Sequence, residues 1–117
     1  MQAIMLSFGK IEVEGQSYDY DLVIDAGEVR KRKKDPSRPY KAQFGHTPLA
    51  AEEAIPWDGE KLIIGMGVYG SLPVMDGVYE EAERRGVEVI AVKTDEACAL
   101  LAEMPDEEIY AVLHITC

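Results

Sequence analysis

Residues 61–92 read KLIIGMGVYGSLPVMDGVYEEAERRGVEVIAV, and their pattern decides the fold. Lys61-Leu-Ile-Ile64 and Val87–Val92 are nearly continuous apolar, β-branched runs, as expected of strands buried on both faces. Between them Met75–Arg85 has helical spacing, with Met75, Val78 and Ala82 on one face and Gly86 to end it. Downstream, Asp95–Met104 predicts a second helix with Ala97, Leu101 and Met104 on one face, Thr94 as N-cap and Pro105 as stop. A third apolar run, Ile109–Ile115, follows it. Strand, helix, strand, helix, strand implies a parallel sheet joined by right-handed crossovers.

Upstream the pattern changes. Residues 8–33 read as antiparallel strands: Lys10–Glu14 and Tyr18–Ile24 alternate apolar and polar positions, and Gly15 and Ala26-Gly27 punctuate them as turns. Leu49–Ala54 is expected as a short helix, with Thr47 as N-cap, Pro48 at its first position and Pro56 beyond it. The expected fold class is α/β, one domain over residues 1–117. In it an N-terminal antiparallel meander joins a small Rossmann-like βαβαβ half around a central mixed sheet.

A chain of 117 residues suits one domain, and 47% hydrophobic with 29% charged residues excludes the disordered class. Twelve basic against 22 acidic side chains give a net charge of -10, which opposes nucleic acid and anionic membrane. Seven of the twelve lie close together: Arg30, Lys31, Arg32, Lys33, Lys34, Arg38 and Lys41. Pro36 and Pro39 bracket this segment, which predicts an exposed loop, either simply solvated or a face for an acidic protein partner. Cys98 and Cys117 are too few for a disulfide scaffold, and no CxxC or Cys/His cluster suggests a metal site. No basic leader and no run of roughly 20 apolar residues is present, so a cytoplasmic location is expected. An open edge on the meander leaves monomer and homodimer as alternatives.

Chemistry concentrates at Gly65-Met66-Gly67-Val68-Tyr69-Gly70, a G-x-G-x-x-G pattern between a strand and a helix. Glycines let backbone N–H groups approach an anion, so a small anion is one reading and a purely structural turn the other. A dinucleotide is disfavoured: Ser71-Leu-Pro73-Val delays the helix, and the next strand ends Val92-Lys93-Thr94 without a ribose-binding acid. No cofactor is assigned. His46 and His114 are each a base or anion contact, or a hydrogen-bonded structural histidine. Ser71 lacks a G-x-S-x-G elbow, Cys117 is not proposed as a nucleophile, and Trp57 and Tyr69 suit a pocket rim or packing. No catalytic residue is assigned.

Several stretches together carry a resemblance: Ser7–Gly15, Tyr18–Ile24, the basic segment, Gly45-His46-Thr47, Gly65–Gly70, Thr94–Ala97 and the ending Leu113-His114-Ile115-Thr116-Cys117. In this order they resemble the Mth-domain family, small proteins of archaea, bacteria and animals. Its animal members include an adipogenesis-associated Mth-domain protein and a mitochondrial assembly factor for respiratory complex I. The resemblance implies a compact α/β fold with a central mixed sheet and brings no established reaction. By position it implies a polar cluster of His46, Thr47, Gly65, Gly67, Gly70, Thr94, His114 and Thr116. Two positions depart from the family: Met66 stands where relatives commonly have Ser or Thr, and Leu101-Ala102 where many have an aromatic-Asn pair.

The expectation is therefore a non-catalytic binding or assembly-type module, with a small-anion pocket at Gly65–Gly70 and a basic segment for an acidic partner. The alternative is an enzyme using the glycine turn as an oxyanion or phosphate cradle. His46 or His114 would then be the base, and Ser71 or Thr47 a hydroxyl participant.

Overall fold

The computed structural model describes all 117 residues. Eight strands and three α-helices follow one another: β1 (Ala3–Ser7), β2 (Lys10–Val13), β3 (Gln16–Tyr18), β4 (Leu22–Asp25), β5 (Glu28–Lys31), α1 (Lys41–Phe44), β6 (Lys61–Met66), α2 (Asp76–Arg85), β7 (Glu88–Val92), α3 (Thr94–Leu101) and β8 (Tyr110–His114). Strands β1, β2 and β3 form an antiparallel sheet, and the other five a mixed sheet in the order β5-β4-β8-β6-β7. Within it β6 pairs parallel with both β7 and β8, while β4 pairs antiparallel with β8 and β5. The mixed α/β expectation holds, with the parallel trio where the β-branched runs placed it.

Alternation along the five-stranded sheet divides the core in two. On one face Leu22, Ile24, Ile63, Ala111 and Leu113 pack with Ala97, Cys98 and Leu101 of α3 and with Ile11 and Val13 of the small sheet. On the other, Val23, Leu62, Ile64 and Val112 pack with Val78 of α2 and with Leu49, Ile55 and Leu72. Most of these side chains are fully buried, each contributing about 1.5–3 kcal/mol of apolar transfer. The two helices thus cover opposite faces, and the loops after β6 and β8 meet at the carboxyl ends of adjacent parallel strands.

Three local expectations are corrected. Tyr18–Ile24 is not one strand; it divides into β3 and β4, which belong to different sheets. Leu49–Ala54 is not helical: Leu49 bridges Val74, donating its N–H to Pro73 and accepting one from Met75, because burying Leu49, Ala50 and Ile55 on the sheet requires extended chain. The helical residues lie earlier, in a 3-10 turn over Asp35–Tyr40 that Pro36 opens, continuing into α1. Thr94 is the first helical residue rather than the N-cap, and its hydroxyl turns across to the sheet instead of capping α3.

Candidate functional site

The chain from β5 onward passes the carboxyl ends of β6 and β8 and encloses a cleft of about 290 Å³ there. Lys34, Lys41, His46, Thr47, Ser71, His114, Thr116 and Cys117 supply its polar lining. Five predicted residues, His46, Thr47, Ser71, His114 and Thr116, are therefore brought together from three distant stretches.

Behind the cleft lies a buried ionic network. Asp21, between β3 and β4, accepts hydrogen bonds from His114 Nδ1 at 2.7 Å, from Arg32 Nη1 at 2.9 Å and from the Ile115 N–H at 3.0 Å, with Lys34 Nζ at 3.3 Å. Arg32 also donates to both oxygens of Glu53, at 2.9 and 2.7 Å, and to the Pro48 carbonyl. The Ser37 hydroxyl donates to Glu53 and accepts from the Ala50 N–H. No buried side-chain nitrogen or oxygen in the chain lacks a partner. Burial alone would raise the Asp21 carboxyl, but the hydrogen bond from His114, the charge of that imidazole when protonated, and the charges of Lys34 and Arg32 outweigh it. They hold that carboxyl well below the usual carboxylate range. Burial likewise opposes the Arg32 charge and is outweighed by Glu53 and Asp21, which raise its affinity for the proton.

An ionised Asp21 only accepts, so His114 Nδ1 carries the proton and Nε2 is directed to the Thr116 hydroxyl at 3.2 Å. Asp21 and Glu53 are balanced by Arg32 and Lys34. Lys41 and the two imidazoles remain as the further basic groups of the cleft.

The glycine turn follows the structural one of its two readings. The Gly67 N–H donates to Thr94 Oγ1 at 2.8 Å, Val68 to Thr116 O at 2.7 Å, and Tyr69 and Ser71 both to Cys117 O. Gly70 donates to Gly67 O and Leu72 to Met66 O. Every N–H from Gly67 to Leu72 is thus satisfied within the chain, and residues 116–117 fill the place foreseen for an anion or oxyanion. Gly67 has φ +99°, and a Cβ there would lie 2.3 Å from the Cys117 carbonyl carbon. Its glycine is required by this close approach. Gly65 faces Thr94 Oγ1 in the same way, Met66 packs in the second core, and Tyr69, 69% exposed, lies against Phe8 outside the cleft. Gly65, Met66, Gly67, Tyr69, Gly70 and Thr94 therefore hold the cleft's wall and do not line it.

The basic segment also needs correction. Arg32 is 3% exposed and engaged in the core network, so it presents no charge to a partner. Arg30 pairs with Asp25 and the Ala54 carbonyl, while Lys31 stands over the Tyr20 ring. Lys31, Lys33, Lys34 and Arg38 line a wider groove that shares Lys34 and Thr116 with the cleft. Sequence reasoning missed Asp21, Glu53 and Ser37. For Asp21 the available signal was a carboxylate immediately before the apolar run Leu-Val-Ile.

Fold and cleft together define a small mixed α/β protein with a polar, histidine-containing cleft at the carboxyl ends of its parallel strands. The chain belongs to the family described as protein of unknown function (DUF498/DUF598), which it matches over residues 5–114, the same Mth-type family its motifs resemble. Among solved structures it is similar to the conserved hypothetical protein PH1505 from Pyrococcus horikoshii OT3, with a TM-score of 0.80 and 29% identity over 100% of each chain. The protein MT938 is similar with a TM-score of 0.67 and 26% identity over 95% of this chain and 94% of that one. XCC1710 from Xanthomonas campestris shares the fold, with a TM-score of 0.57 at 11% identity over 98% and 86% of the two chains. No curated protein matches the chain. At the second departure from the family, Leu101 is fully buried against the sheet and Ala102 ends α3, so neither residue of that pair reaches the cleft.

Proposed function

We propose that this protein is a cytosolic binding module that takes a small anion, of the size of phosphate or a short carboxylate, in the cleft lined by His46, Thr47, Ser71, His114 and Thr116. The observation that carries the reading is charge placement. On a chain of net charge -10, Lys34, Lys41 and His46 converge on one pocket that also presents three hydroxyls. Ammonium, imidazole and hydroxyl groups around a small volume are the donors an oxyanion requires. The glycine turn serves by holding Thr116 in the wall rather than by offering its own N–H groups.

The test is a titration of the folded protein with inorganic phosphate and with acetate, followed by 15N–1H chemical shifts. Shifts should cluster at residues 45–47, 71 and 114–117 and weaken in Lys41→Ala. Shifts that scatter over the surface, or that Lys41→Ala leaves unchanged, defeat the reading.

An assembly role is favoured by one further observation: the groove of Lys31, Lys33, Lys34 and Arg38 runs into the cleft at Lys34 and Thr116. An acidic segment of a protein partner lying there would place a carboxylate in the same pocket. Capture of an acidic partner should then fall in Lys33→Ala/Arg38→Ala and compete with phosphate.

A further inference from the structure

The same cleft contains an arrangement that binding alone does not use. Thr116 Oγ1 lies 3.2 Å from His114 Nε2, and His114 Nδ1 lies 2.7 Å from Asp21 Oδ2. Hydroxyl, imidazole and carboxylate stand in sequence, each within hydrogen-bond reach of the next. That is the geometric requirement for activating a weak nucleophile: a base beside the hydroxyl, and a third group that orients the base. Asp21 is buried and its Oδ1 is engaged by the Ile115 N–H, so the carboxylate cannot swing away. It fixes the imidazole tautomer that leaves Nε2 free to take the hydroxyl proton. Thr116 itself is only half-buried and lines both the cleft and the adjoining groove. Its carbonyl accepts the N–H of Val68, which holds the backbone of the residue in place.

We propose that Thr116 is a nucleophile activated by His114, and that the protein cleaves small carboxylic esters carrying a second, anionic group. The proposal uses the cleft of the binding reading and adds a reaction to it. Lys34 and Lys41 hold the anionic group of the substrate. The Thr116 oxygen attacks the ester carbonyl carbon, forming a new C–O bond, while its proton passes to His114 Nε2. Collapse of the tetrahedral species breaks the bond to the leaving alcohol, which takes the proton from Nε2. Water, deprotonated by the same nitrogen, then releases the acid from Thr116 and returns the proton to its hydroxyl. Ser71 lines the cleft and supplies the hydroxyl donor where negative charge develops on the carbonyl oxygen; the glycine-turn N–H groups take no part. Thr116 and His114 are the catalytic residues, and Asp21 is a positioning residue.

Diisopropyl fluorophosphate tests this directly, since attack by an activated hydroxyl expels fluoride and leaves a stable phosphoryl adduct. Intact mass should show one added group and peptide mapping should place it on Thr116. Thr116→Val, which keeps the side-chain shape, should abolish the adduct, and Thr116→Ser should restore it. His114→Gln should slow labelling by about 10²-fold or more. Release of 4-nitrophenolate from 4-nitrophenyl hydrogen succinate should follow the same order of variants. In Asp21→Asn the rate should fall and its pH profile should move, because the tautomer is no longer fixed. No adduct on folded protein, an adduct on Ser71 or Cys117 instead, or labelling unaffected by Thr116→Val overturns the proposal. Phosphate titration of the same samples keeps the two readings apart: binding without labelling overturns the nucleophile and leaves the binding module, and labelling without phosphate binding does the reverse.

Discussion

At the scale of single residues, the site depends on charges placed where apolar residues would otherwise sit. Arg32 bridges Asp21 and Glu53 with its side chain wholly out of solvent, and both carboxylates are nearly as deeply buried. Removing one member of such a set leaves its partners charged and unpaired, which costs about 3–5 kcal/mol. Arg32→Met should therefore lower stability by that amount in urea denaturation, whereas Lys33→Ala, at the exposed neighbouring position that lines the adjoining groove, should stay within about 0.5 kcal/mol. The two cysteines diverge in the same residue-by-residue way. Burial, and then the charge of Asp95, push the Cys98 thiol up to about 11, while Cys117 is half-exposed in the cleft. A thiol reagent at neutral pH should modify Cys117 alone in the native state and both cysteines after unfolding.

At the scale of elements, the contact that assembles the cleft is Thr94. Its hydroxyl accepts the Gly67 N–H and donates to the His114 carbonyl at 2.5 Å, joining the end of β6, the first turn of α3 and the end of β8. Thr94→Val preserves shape and leaves a buried N–H and a buried carbonyl without partners. It should cost about 1–3 kcal/mol by thermal or chemical denaturation and loosen residues 114–117, read as faster amide exchange there. The sequence carried the elements better than this junction. Lys61–Ile64, Val87–Val92 and Ile109–Ile115 announced themselves as strands because burial on both faces demands unbroken apolar, β-branched residues. Strand β1 did not, since Ile4 and Leu6 are exposed where alternation calls for polar residues. The extended course of Leu49 depends on pairing with Val74, and the inward turn of Thr94 on a glycine 27 positions earlier; neither is encoded locally. His46, Thr47, Ser71, His114 and Thr116 were legible as candidate residues. The network that orients them was not, because Asp21 and Arg32 read as ordinary surface charges until the fold buries them.

Across the whole molecule, charge is divided between the two ends of the parallel strands. Asp58, Glu60, Glu103, Glu107 and Glu108 line a groove beside Lys61 and Tyr110, where β6 and β8 begin, while the basic cleft stands where they end. Two opposed effects of acid follow. Protonating the exposed carboxylates relieves self-repulsion in a chain of net charge -10 and stabilises the folded state. Protonating Asp21 does the opposite. Its pKa in the folded protein lies far below the ordinary 3.8, so its contribution is fully present above that value and is lost as pH falls through it toward the folded one. The loss amounts to a few kcal/mol. Wild-type stability followed by urea denaturation mixes both effects, but the difference between wild type and Asp21→Asn removes the surface contribution common to both. That difference should favour wild type by a constant amount at neutral pH and shrink steadily from about pH 5 downward. Parallel curves over that range would mean that Asp21 is not the group whose ionisation ties the two sheets and the cleft together.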